Sequence, residues 1–395
     1  MTTIMISRFT HRIFRLIFAR ARRLAVAVAA AGGLVLAIAG PAAASAPVNP
    51  IAVNTANWSA SAGYGSTAPG WYTDSFGLVH LQGAAKQISL KPPFQIVLGS
   101  LPPAARPTRD VFTIVHTFAG TYADLEIESN GTIAVIGPPS PAVEDLSFVS
   151  LEGITYQPAN KLPASPIAVN TTNWSATTLY GPVVRAPSAY TDGSTIVHLE
   201  GAARRINPTG ANANYLGSVP AGDAPGYNVY TVVATNDGTY ADLGISPSGG
   251  IYLIGPAAPM LKDYAFVSLE GVTYTRSYQI GAGIFLNTTN WTGNAGYGSR
   301  SPGWVEDNAG VIHLQGAVAQ SYNGGSTPNL VGTLPIVARP NRTVYTIVHT
   351  LAGTYADLAI QPNGQIWALT PGSACRDGPS LSLAGGDHLP AIAHP

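Results

Sequence analysis

Three histidines at near-regular spacing are the residues whose chemistry stands out first in this sequence. His80, His198 and His313 stand in the same short motif, a Val or Ile followed by His-Leu, then Gln or Glu, then Gly. Imidazole is a common zinc ligand, and three such rings meeting on an axis could hold a metal ion with an open fourth position. A His beside Gln or Glu on a half-buried strand is also satisfied by hydrogen bonds. We favour this second interpretation, so no metal and no cofactor is predicted.

A second motif, Thr-Tyr-Ala-Asp-Leu, occurs three times and places a tyrosine and an aspartate on one face of a strand. The pairs are Tyr122 with Asp124, Tyr240 with Asp242, and Tyr355 with Asp357. Aromatic faces stack on sugar rings and carboxylates accept hydrogen bonds from sugar hydroxyls, as a lectin site requires. Such pairs also cap sheet edges or pair between modules. The motif therefore leaves two alternatives open, ligand binding and structural pairing.

A third group of residues is aromatic and glycine-rich. Trp71 and Trp304 each follow a Pro-Gly pair, and Tyr64 and Tyr297 lie nearby in Gly-Tyr-Gly segments. Loops carry recognition more often than strands do. We therefore expect these four side chains to be exposed and to form a carbohydrate-contacting patch. The remaining repeated tryptophans, Trp58, Trp174 and Trp291, are expected to fill the core.

Catalytic signatures are scarce. The chain contains 20 Asp and Glu, and it has no Gly-x-Ser-x-Gly, no His-Glu-x-x-His and no phosphate-cradling Gly loop. The acidic residue Glu152 is replaced by Ala384 in the third copy of its motif. We predict no enzyme and no catalytic residue. A glycosidase carboxylate pair assembled across copies remains the enzymatic alternative.

The amino-terminal segment predicts export. Six arginines precede an apolar run from Leu24 to Ala39, which is followed by Ala42-Ala43-Ala44. This order is that of a secretory signal over residues 1–44, with cleavage after Ala44 and no stable membrane insertion afterwards. An uncleaved anchor and a twin-arginine signal are the alternatives. All three place the body of the protein outside the cytoplasm, secreted or at the cell surface.

Charge after removal of the signal argues against nucleic acid. The signal holds six Arg and no acidic residue, so 14 of the 20 Lys and Arg remain, against all 20 Asp and Glu. A nucleic-acid binder normally shows a basic stripe. No nucleic-acid partner is therefore predicted. The single cysteine, Cys375, excludes an intramolecular disulfide.

The elements that carry these motifs are three tandem β-modules. Motif spacings of 115 to 118 residues give one module over 45–160, a second over 161–279 and a third over 280–395. Within each copy apolar residues alternate with period two, so Ala123, Leu125 and Ile127 should share one face of a strand. Asn-Gly pairs such as Asn130-Gly131 predict hairpin turns with positive φ at both positions. The fold class is all-β, with some eight strands per copy in a sandwich or jelly roll.

The third copy departs from the repeat after Leu369. It keeps Ser382-Leu383-Ala384-Gly385 at the expected spacing but lacks the aromatic residues of the closing strand. We expect its last strand to be frayed.

The order of several motif residues in the first copy resembles the head modules of phage tail fibres and receptor-binding proteins. These residues are Trp58, Gly63-Tyr64, Gly77, Val79-His80-Leu81, Leu101-Pro102, Arg106-Pro107 and the closing Ser150-Leu151-Glu152-Gly153. The resemblance implies a β-sandwich that forms a trimer on a threefold axis and binds cell-surface glycans or proteins. It brings no enzymatic residue. The second copy departs from it, with Ala224, Ala234 and Tyr190 in place of Arg, His and Trp.

Three copies of a trimer-forming module in one chain suggest a monomeric pseudo-trimer. In that arrangement we expect the face with His80, His198 and His313 to point toward the axis between copies. Beads on a string is the alternative. The predicted function is a secreted, non-enzymatic protein that binds a surface glycan or protein. A purely structural surface-layer or coat component is the second alternative, and a polysaccharide-acting enzyme is the third.

Overall fold

The structure is a computed structural model of the 395-residue chain. It describes residues 47–89, 96–118, 121–137, 148–158, 162–177, 183–235, 239–255, 266–276, 282–293, 296–321, 329–350, 354–369, 380–388 and 390. The predicted signal segment and Cys375 lie outside the described residues. No helix in the described part of the chain is long and apolar enough to cross a bilayer.

Short strands dominate all three copies. The first copy contains β1 (Asn49–Pro50), β2 (Ala52–Val53), β3 (Trp58–Ser59), β4 (Gly70–Thr73), β5 (Val79–Gln82), β6 (Ala84–Gln87), β7 (Ile96–Ser100), β8 (Val111–Thr117), β9 (Thr121–Ile127), β10 (Thr132–Gly137), β11 (Val149–Ser150) and β12 (Thr155–Tyr156). The second contains β13 (Ser165–Pro166), β14 (Ala168–Val169), β15 (Trp174–Ser175), β16 (Ser188–Thr191), β17 (Ile196–Glu200), β18 (Ala202–Arg205), β19 (Tyr215–Ser218), β20 (Val229–Ala234), β21 (Tyr240–Ile245), β22 (Gly250–Gly255), β23 (Val267–Ser268) and β24 (Thr273–Thr275). The third contains β25 (Ala282–Gly283), β26 (Phe285–Leu286), β27 (Trp291–Thr292), β28 (Gly303–Glu306), β29 (Ile312–Gln315), β30 (Ala317–Gln320), β31 (Asn329–Thr333), β32 (Val344–Thr350), β33 (Thr354–Ile360), β34 (Gln365–Leu369) and β35 (Ser380–Ser382). The 3₁₀ turns are Pro103–Ala105, Ala221–Asp223 and Ile336–Ala338.

Each copy folds its strands into a small and a large antiparallel sheet. In the first copy the orders are β1-β4-β5-β12 and β2-β7-β10-β9-β8-β11-β6-β3. The second repeats this plan, and the bridge between Thr235 and Val267 joins the two parts of its large sheet. In the third copy, a single bridge between Ile312 and His388 takes the place of the pairing between β5 and β12 in the first copy. The all-β prediction is confirmed. The expectation of eight strands was too low, because strands of two residues are too short to show an alternating pattern.

The cores follow the predicted alternation. Ala123, Leu125 and Ile127 are fully buried in the core of the first copy. The repeated tryptophans Trp58 and Trp174 are 1% and 0% exposed, and Trp291 is buried in the same way. Truncation of one such tryptophan to alanine would cost about 3–5 kcal/mol. The prediction that these three side chains fill the cores is confirmed.

The predicted hairpin turn at Asn130-Gly131 is present with a different geometry. Gly131 has φ of 95°, whereas Asn130 is not among the residues with positive φ. The Gly131 amide donates to the Glu128 carbonyl at 2.8 Å, and the Asn130 side-chain oxygen accepts from the Thr132 amide at 2.7 Å. This is a type I turn followed by a left-handed glycine, which adds a bulge and lets Asn130 keep negative φ.

The third copy closes its large sheet despite its divergent sequence. Ser380–Ser382 pairs with Ala317–Ala319, and Leu381 also pairs with Thr350. Leu381 and Leu383 are fully buried. The expectation of a frayed last strand was therefore wrong for the described residues. Leu381 and Leu383 stand where Val149 and Leu151 are buried in the first copy, so the strand keeps its apolar anchor without the aromatic residues.

The copies pack against one another instead of standing apart. Residues Ala43–His394 form one compact unit. All described strand pairs lie within a single copy, and β8, β20 and β32 of the three large sheets are mutual neighbours. The three copies thus form a pseudo-trimer inside one chain, and a beads-on-a-string arrangement is excluded.

Candidate functional site

A triangle of tyrosines marks the axis of the pseudo-trimer. The ring centroids of Tyr122 and Tyr240 are 5.1 Å apart, those of Tyr122 and Tyr355 are 5.1 Å apart, and those of Tyr240 and Tyr355 are 5.3 Å apart. The rings meet edge to face at 78° to 83°, the geometry that aromatic quadrupoles favour. Burial raises the pKa of Tyr355 to about 12, so its phenol stays neutral. Equivalent residues of all three copies therefore meet at one point.

Histidine–aspartate pairs cross from copy to copy beside this triangle. His116 Nδ1 of the first copy lies 2.7 Å from Asp357 Oδ1 of the third. His349 Nδ1 of the third lies 2.8 Å from Asp242 Oδ1 of the second. Both aspartates have no solvent exposure, and both histidines are nearly as buried. We call the contact surfaces between copies the 1–3 seam, which contains His116, the 2–3 seam, which contains His349, and the 1–2 seam.

The 1–2 seam lacks such a pair. The histidine position is occupied by Ala234, and the corresponding aspartate is Asp124. Asp124 is fully buried, and neither of its carboxylate oxygens has a hydrogen-bond partner among the described residues. Burial raises the pKa of Asp124 well above its usual value. Burial therefore favours the protonated form of this carboxyl group.

A serine from each closing strand links the seams in cyclic order. Ser150 Oγ of the first copy donates to the Tyr345 carbonyl of the third at 2.8 Å. Ser268 Oγ of the second donates to the Phe112 carbonyl of the first at 2.6 Å. Ser382 Oγ of the third donates to the Tyr230 carbonyl of the second at 2.6 Å. The order 1 to 3, 3 to 2 and 2 to 1 closes the ring.

A buried ion pair adds to the 1–3 seam. Arg342 donates to both carboxylate oxygens of Glu152, with Nε–Oε1 at 2.7 Å and Nη2–Oε2 at 2.8 Å. Both side chains are nearly fully buried. Glu152 Oε1 also accepts the Gly83 amide at 2.8 Å. The two-pronged geometry fixes the register of the first copy against the third.

The repeated Tyr-Asp motif is thus used between copies. All three aspartates, including Asp124, are fully buried, and the three tyrosines are turned toward one another. A ligand at the surface cannot reach these carboxylates. The structure supports the pairing alternative for the three tyrosines and for Asp242 and Asp357, whereas Asp124 is buried without a hydrogen-bond partner among the described residues. The expectation that Tyr122, Tyr240, Tyr355 and their aspartates form an open sugar site is corrected by this burial.

His80, His198 and His313 find their partners within their own copies. Their Nε2 atoms lie 2.8, 3.3 and 3.1 Å from the aspartates six residues earlier, namely Asp74, Asp192 and Asp307. The histidines that bond across seams are His116 and His349. The expectation that the face with His80, His198 and His313 points toward the axis stays a prediction. The described residues contain no group of three or more His, Cys, Asp and Glu that could hold a metal ion. The recurring Asp-x5-His spacing was the sequence signal for these local pairs.

Trp71 and Trp304 are buried, contrary to the expectation of exposed loop residues. Each is 9% exposed and packs in the hydrophobic core of its own copy. The Pro-Gly pair does not form a loop tip here. Gly70 already belongs to strand β4 and pairs with Gln82, so the next side chain points into the core. These tryptophans cannot stack on a ligand at the surface.

Tyr64 and Tyr297 do lie at the surface, and the backbone of their loops is hydrogen-bonded to the neighbouring copy. Their side chains are 54% and 64% exposed. Both residues have a backbone φ of 54°, a left-handed conformation that residues other than glycine seldom adopt. The Tyr64 carbonyl accepts from the Tyr345 hydroxyl at 3.0 Å, and the Tyr297 carbonyl accepts from the Tyr230 hydroxyl at 2.8 Å. We call these two loops, Gly63–Gly65 and Gly296–Gly298, the clasp loops.

Backbone hydrogen bonds complete each clasp loop. The Thr343 amide donates to the Gly65 carbonyl at 3.0 Å, and the Asn228 amide donates to the Gly298 carbonyl at 3.0 Å. At the 1–2 seam the Asp110 amide makes the same bond to Val183 at 2.8 Å, without a Gly-Tyr-Gly segment. Two exposed tyrosine rings are therefore carried on backbone that is hydrogen-bonded to the neighbouring copy, one at the 1–3 seam and one at the 2–3 seam.

Comparisons of this chain with protein-family models, with curated proteins and with solved structures found no match. The function must therefore be argued from the geometry of the chain itself. The likeness to phage head modules stays a prediction from sequence motifs.

Proposed function

We propose that this chain is an exported, non-enzymatic binding protein that recognises a cell-surface glycan or protein through its clasp loops. One observation carries the proposal: Tyr64 and Tyr297 stay more than half exposed while their carbonyls are bonded to the neighbouring copy. The Tyr64 ring also packs beside Phe118, with centroids 5.1 Å apart, which leaves its other face open. A rigid aromatic ring loses little conformational entropy on binding. It also offers the flat apolar face on which a sugar ring stacks.

The burial of the polar side chains at the axis supports a role without catalysis. A general acid or base must come within hydrogen-bond reach of the substrate. Asp242 and Asp357 are fully buried and already paired with histidines of another copy. Their contribution is to hold the three copies in register.

The closed ring supports the likeness to trimeric head modules. In such modules three chains would place equivalent loops around a threefold axis. Here three copies in one chain place two clasp loops around the tyrosine triangle, and the second copy has diverged. Presentation of two equivalent rings on one body would allow two weak contacts to act together.

The proposal is tested by binding of the mature chain to a glycan array and to intact cells. We expect the double variant Tyr64→Ala, Tyr297→Ala to lose at least about fivefold in affinity, since each ring contributes on the order of 1 kcal/mol. The matched control is Phe285→Ala, which removes an aromatic side chain that is 69% exposed outside the clasp loops. Equal losses in the control and in the double variant would refute the role of the clasp loops.

A purely structural surface-layer or coat component is the second candidate. It is favoured by the number of polar side chains that the three seams use internally, among them Glu152 and Arg342. If the mature chain bound no saccharide on the array and no cell surface, this structural role would be favoured. Ordered self-association at high concentration would be its positive signature.

A further inference from the structure

A cavity opens at the 2–3 seam, and its walls come from both copies. Its lining includes Tyr227 and Asn228 of the second copy and Ser299, Gln315, Gly316 and Ala384 of the third. It is small, with about 20 Å³ open to the centre of a water-sized sphere, and it widens toward solvent. We call it the 2–3 pocket.

The corresponding place in the other two copies contains a glutamate carboxylate. Glu152 Oε1 accepts the Gly83 amide at 2.8 Å, and Glu270 Oε1 accepts the Gly201 amide at 2.7 Å. In the third copy the glutamate position is Ala384. Gly316, the counterpart of the two glycines, keeps the same backbone conformation, with φ of 82° against 81° and 82°. The backbone donor is kept and the carboxylate acceptor is missing.

Other groups in the 2–3 pocket are suited to an anion. Gln315 is 4% exposed, and its Nε2 has no hydrogen-bond partner among the described residues. Its Oε1 accepts from Arg300 Nη1 at 2.8 Å and from Thr275 Oγ1 at 3.1 Å. The Arg300 guanidinium lies 5.0 Å from the centroid of the Tyr227 ring. A buried amide donor therefore lines a place that holds a carboxylate in the other two copies, and the Arg300 cation is bonded to the oxygen of the same amide.

The 2–3 pocket adjoins the clasp loop of Tyr297. Asn228 lines the pocket, and its side-chain nitrogen donates to the Tyr297 carbonyl at 2.6 Å. Ser299, two residues after Tyr297, also lines the pocket. The exposed ring of Tyr297 and one wall of the 2–3 pocket are thus carried by the same short segment.

We propose that the 2–3 pocket binds the carboxylate of an acidic saccharide whose sugar ring stacks on Tyr297. The ligand carboxylate takes the place that Glu152 and Glu270 fill in their copies and accepts hydrogen bonds from Gln315 and the Gly316 amide. This inference rests on the proposed saccharide-binding function and names its ligand class. The clasp at Tyr64 has no such selectivity, because Glu152 already occupies the equivalent place. A saccharide fits better than an acidic peptide because Tyr297 is 64% exposed and offers a flat apolar face beside the cavity.

The test compares glucuronic acid with glucose, and an oligosaccharide of uronic acids with its carboxyl-reduced form. Affinities are measured by calorimetry, and the Gly316 amide shift is followed by NMR. We expect the acidic ligands to bind at least about tenfold more tightly, since hydrogen bonds to a charged group are the stronger ones. Equal binding of acidic and neutral ligands would overturn the proposal.

Ala384→Glu is the decisive variant, because it restores the internal carboxylate of the other two copies. We expect it to abolish the acidic preference and to leave binding of neutral saccharide at Tyr64 unchanged. Arg300→Gln, which removes the cation without filling the cavity, should reduce the preference and serves if Ala384→Glu does not fold. An acidic preference that persists in both variants counts against the pocket.

Two further outcomes separate this inference from the proposed function. Neutral and acidic saccharides that bind equally, with a loss on Tyr297→Ala, leave the proposed function standing and remove the pocket inference. A glutamate-rich peptide that binds in place of the acidic saccharide would also overturn the inference. No binding of any saccharide removes both.

Discussion

Asp124 and Ala234 occupy, at the 1–2 seam, the two positions that an aspartate and a histidine occupy at the other seams. His116 and His349 each bond a buried aspartate of another copy, whereas Asp124 has no hydrogen-bond partner among the described residues. Phe112 and Phe266, with ring centroids 4.8 Å apart, line this seam beside Ala234. The 1–2 seam therefore differs from the other two in having no histidine–aspartate pair among the described residues.

Leucine substitutions at two equivalent aspartates should have opposite effects. Leucine has the branched shape of aspartate without its polar atoms, so Asp124→Leu removes a buried carboxyl that has no hydrogen-bond partner in the described part of the chain. We expect the free energy of unfolding to rise by about 1–3 kcal/mol. Asp357→Leu breaks the bond to His116, and we expect a loss of about 2–4 kcal/mol. Denaturant unfolding at neutral pH measures both, and changes of the same sign would contradict this account.

The protein should stay folded when the Glu152–Arg342 pair of the 1–3 seam is replaced by the alanine and tyrosine found at the equivalent positions of the 2–3 seam. Glu152→Ala leaves the buried Arg342 without its partner, and we expect a loss of about 3–5 kcal/mol in unfolding free energy. Adding Arg342→Tyr reproduces the combination of Ala384 and Tyr227 that the 2–3 seam contains. The double variant should recover most of the loss. A double-mutant cycle with Arg342→Tyr alone measures the coupling, and additive losses would argue against the seams being equivalent.

Stability should fall as the pH rises toward 8, partly through Glu270. Burial, with the nearby Glu200 carboxylate, raises the pKa of Glu270 from 4.5 to about 8. The folded chain holds this proton more tightly than the unfolded chain does. The stabilisation is therefore complete below pH 4.5 and is lost as the pH rises through about 8.

Glu270→Gln isolates this effect, since glutamine can still accept the Gly201 amide. We expect the free energy of unfolding of the variant to fall less than that of the parent between pH 4.5 and about 8. Denaturant unfolding across that pH range gives the free energy of unfolding of both chains. Subtracting one from the other removes the contribution of the titrating groups that the two chains share. Parallel pH profiles would show that Glu270 titrates normally.

The chain should be a monomer in solution. The serine bonds run from copy 1 to 3, from 3 to 2 and from 2 to 1, so each copy already uses both of its contact surfaces. Light scattering of the mature chain should give the mass of one chain over a wide range of concentration. A stable homotrimer of the whole chain would mean that the contacts close between chains instead.

Local pattern was sufficient to predict the interior of each copy. Alternation placed Ala123, Leu125 and Ile127 in the core, and repetition indicated that Trp58 has equivalents in the other two copies. Local pattern failed for Trp71, because a Pro-Gly pair is compatible with both a loop tip and the start of a strand. The neighbouring strand β5, which pairs with Gly70, decides between them.

The contacts between copies that form the candidate site could not be predicted from local sequence patterns. The loss of histidine at Ala234 was visible in the sequence, but its partner was not, because His116 and Asp357 are separated by 241 residues and belong to different copies. Tyr64 was identified as an exposed aromatic residue, yet the use of its carbonyl by Tyr345 depends on how two copies meet. The Ala384 substitution was likewise visible, and the pocket that it leaves was not.

The sequence by itself determined the number of modules, their all-β class and the side chains of each core, because apolar periodicity and repetition act over short distances along the chain. Only the tertiary structure decided which faces meet at the axis, that Asp124 finds no hydrogen-bond partner among the described residues and that a cavity opens beside Tyr297. Those features arise where side chains from different copies come within hydrogen-bond distance. Their positions depend on the packing of whole sheets, which no local pattern of residues specifies.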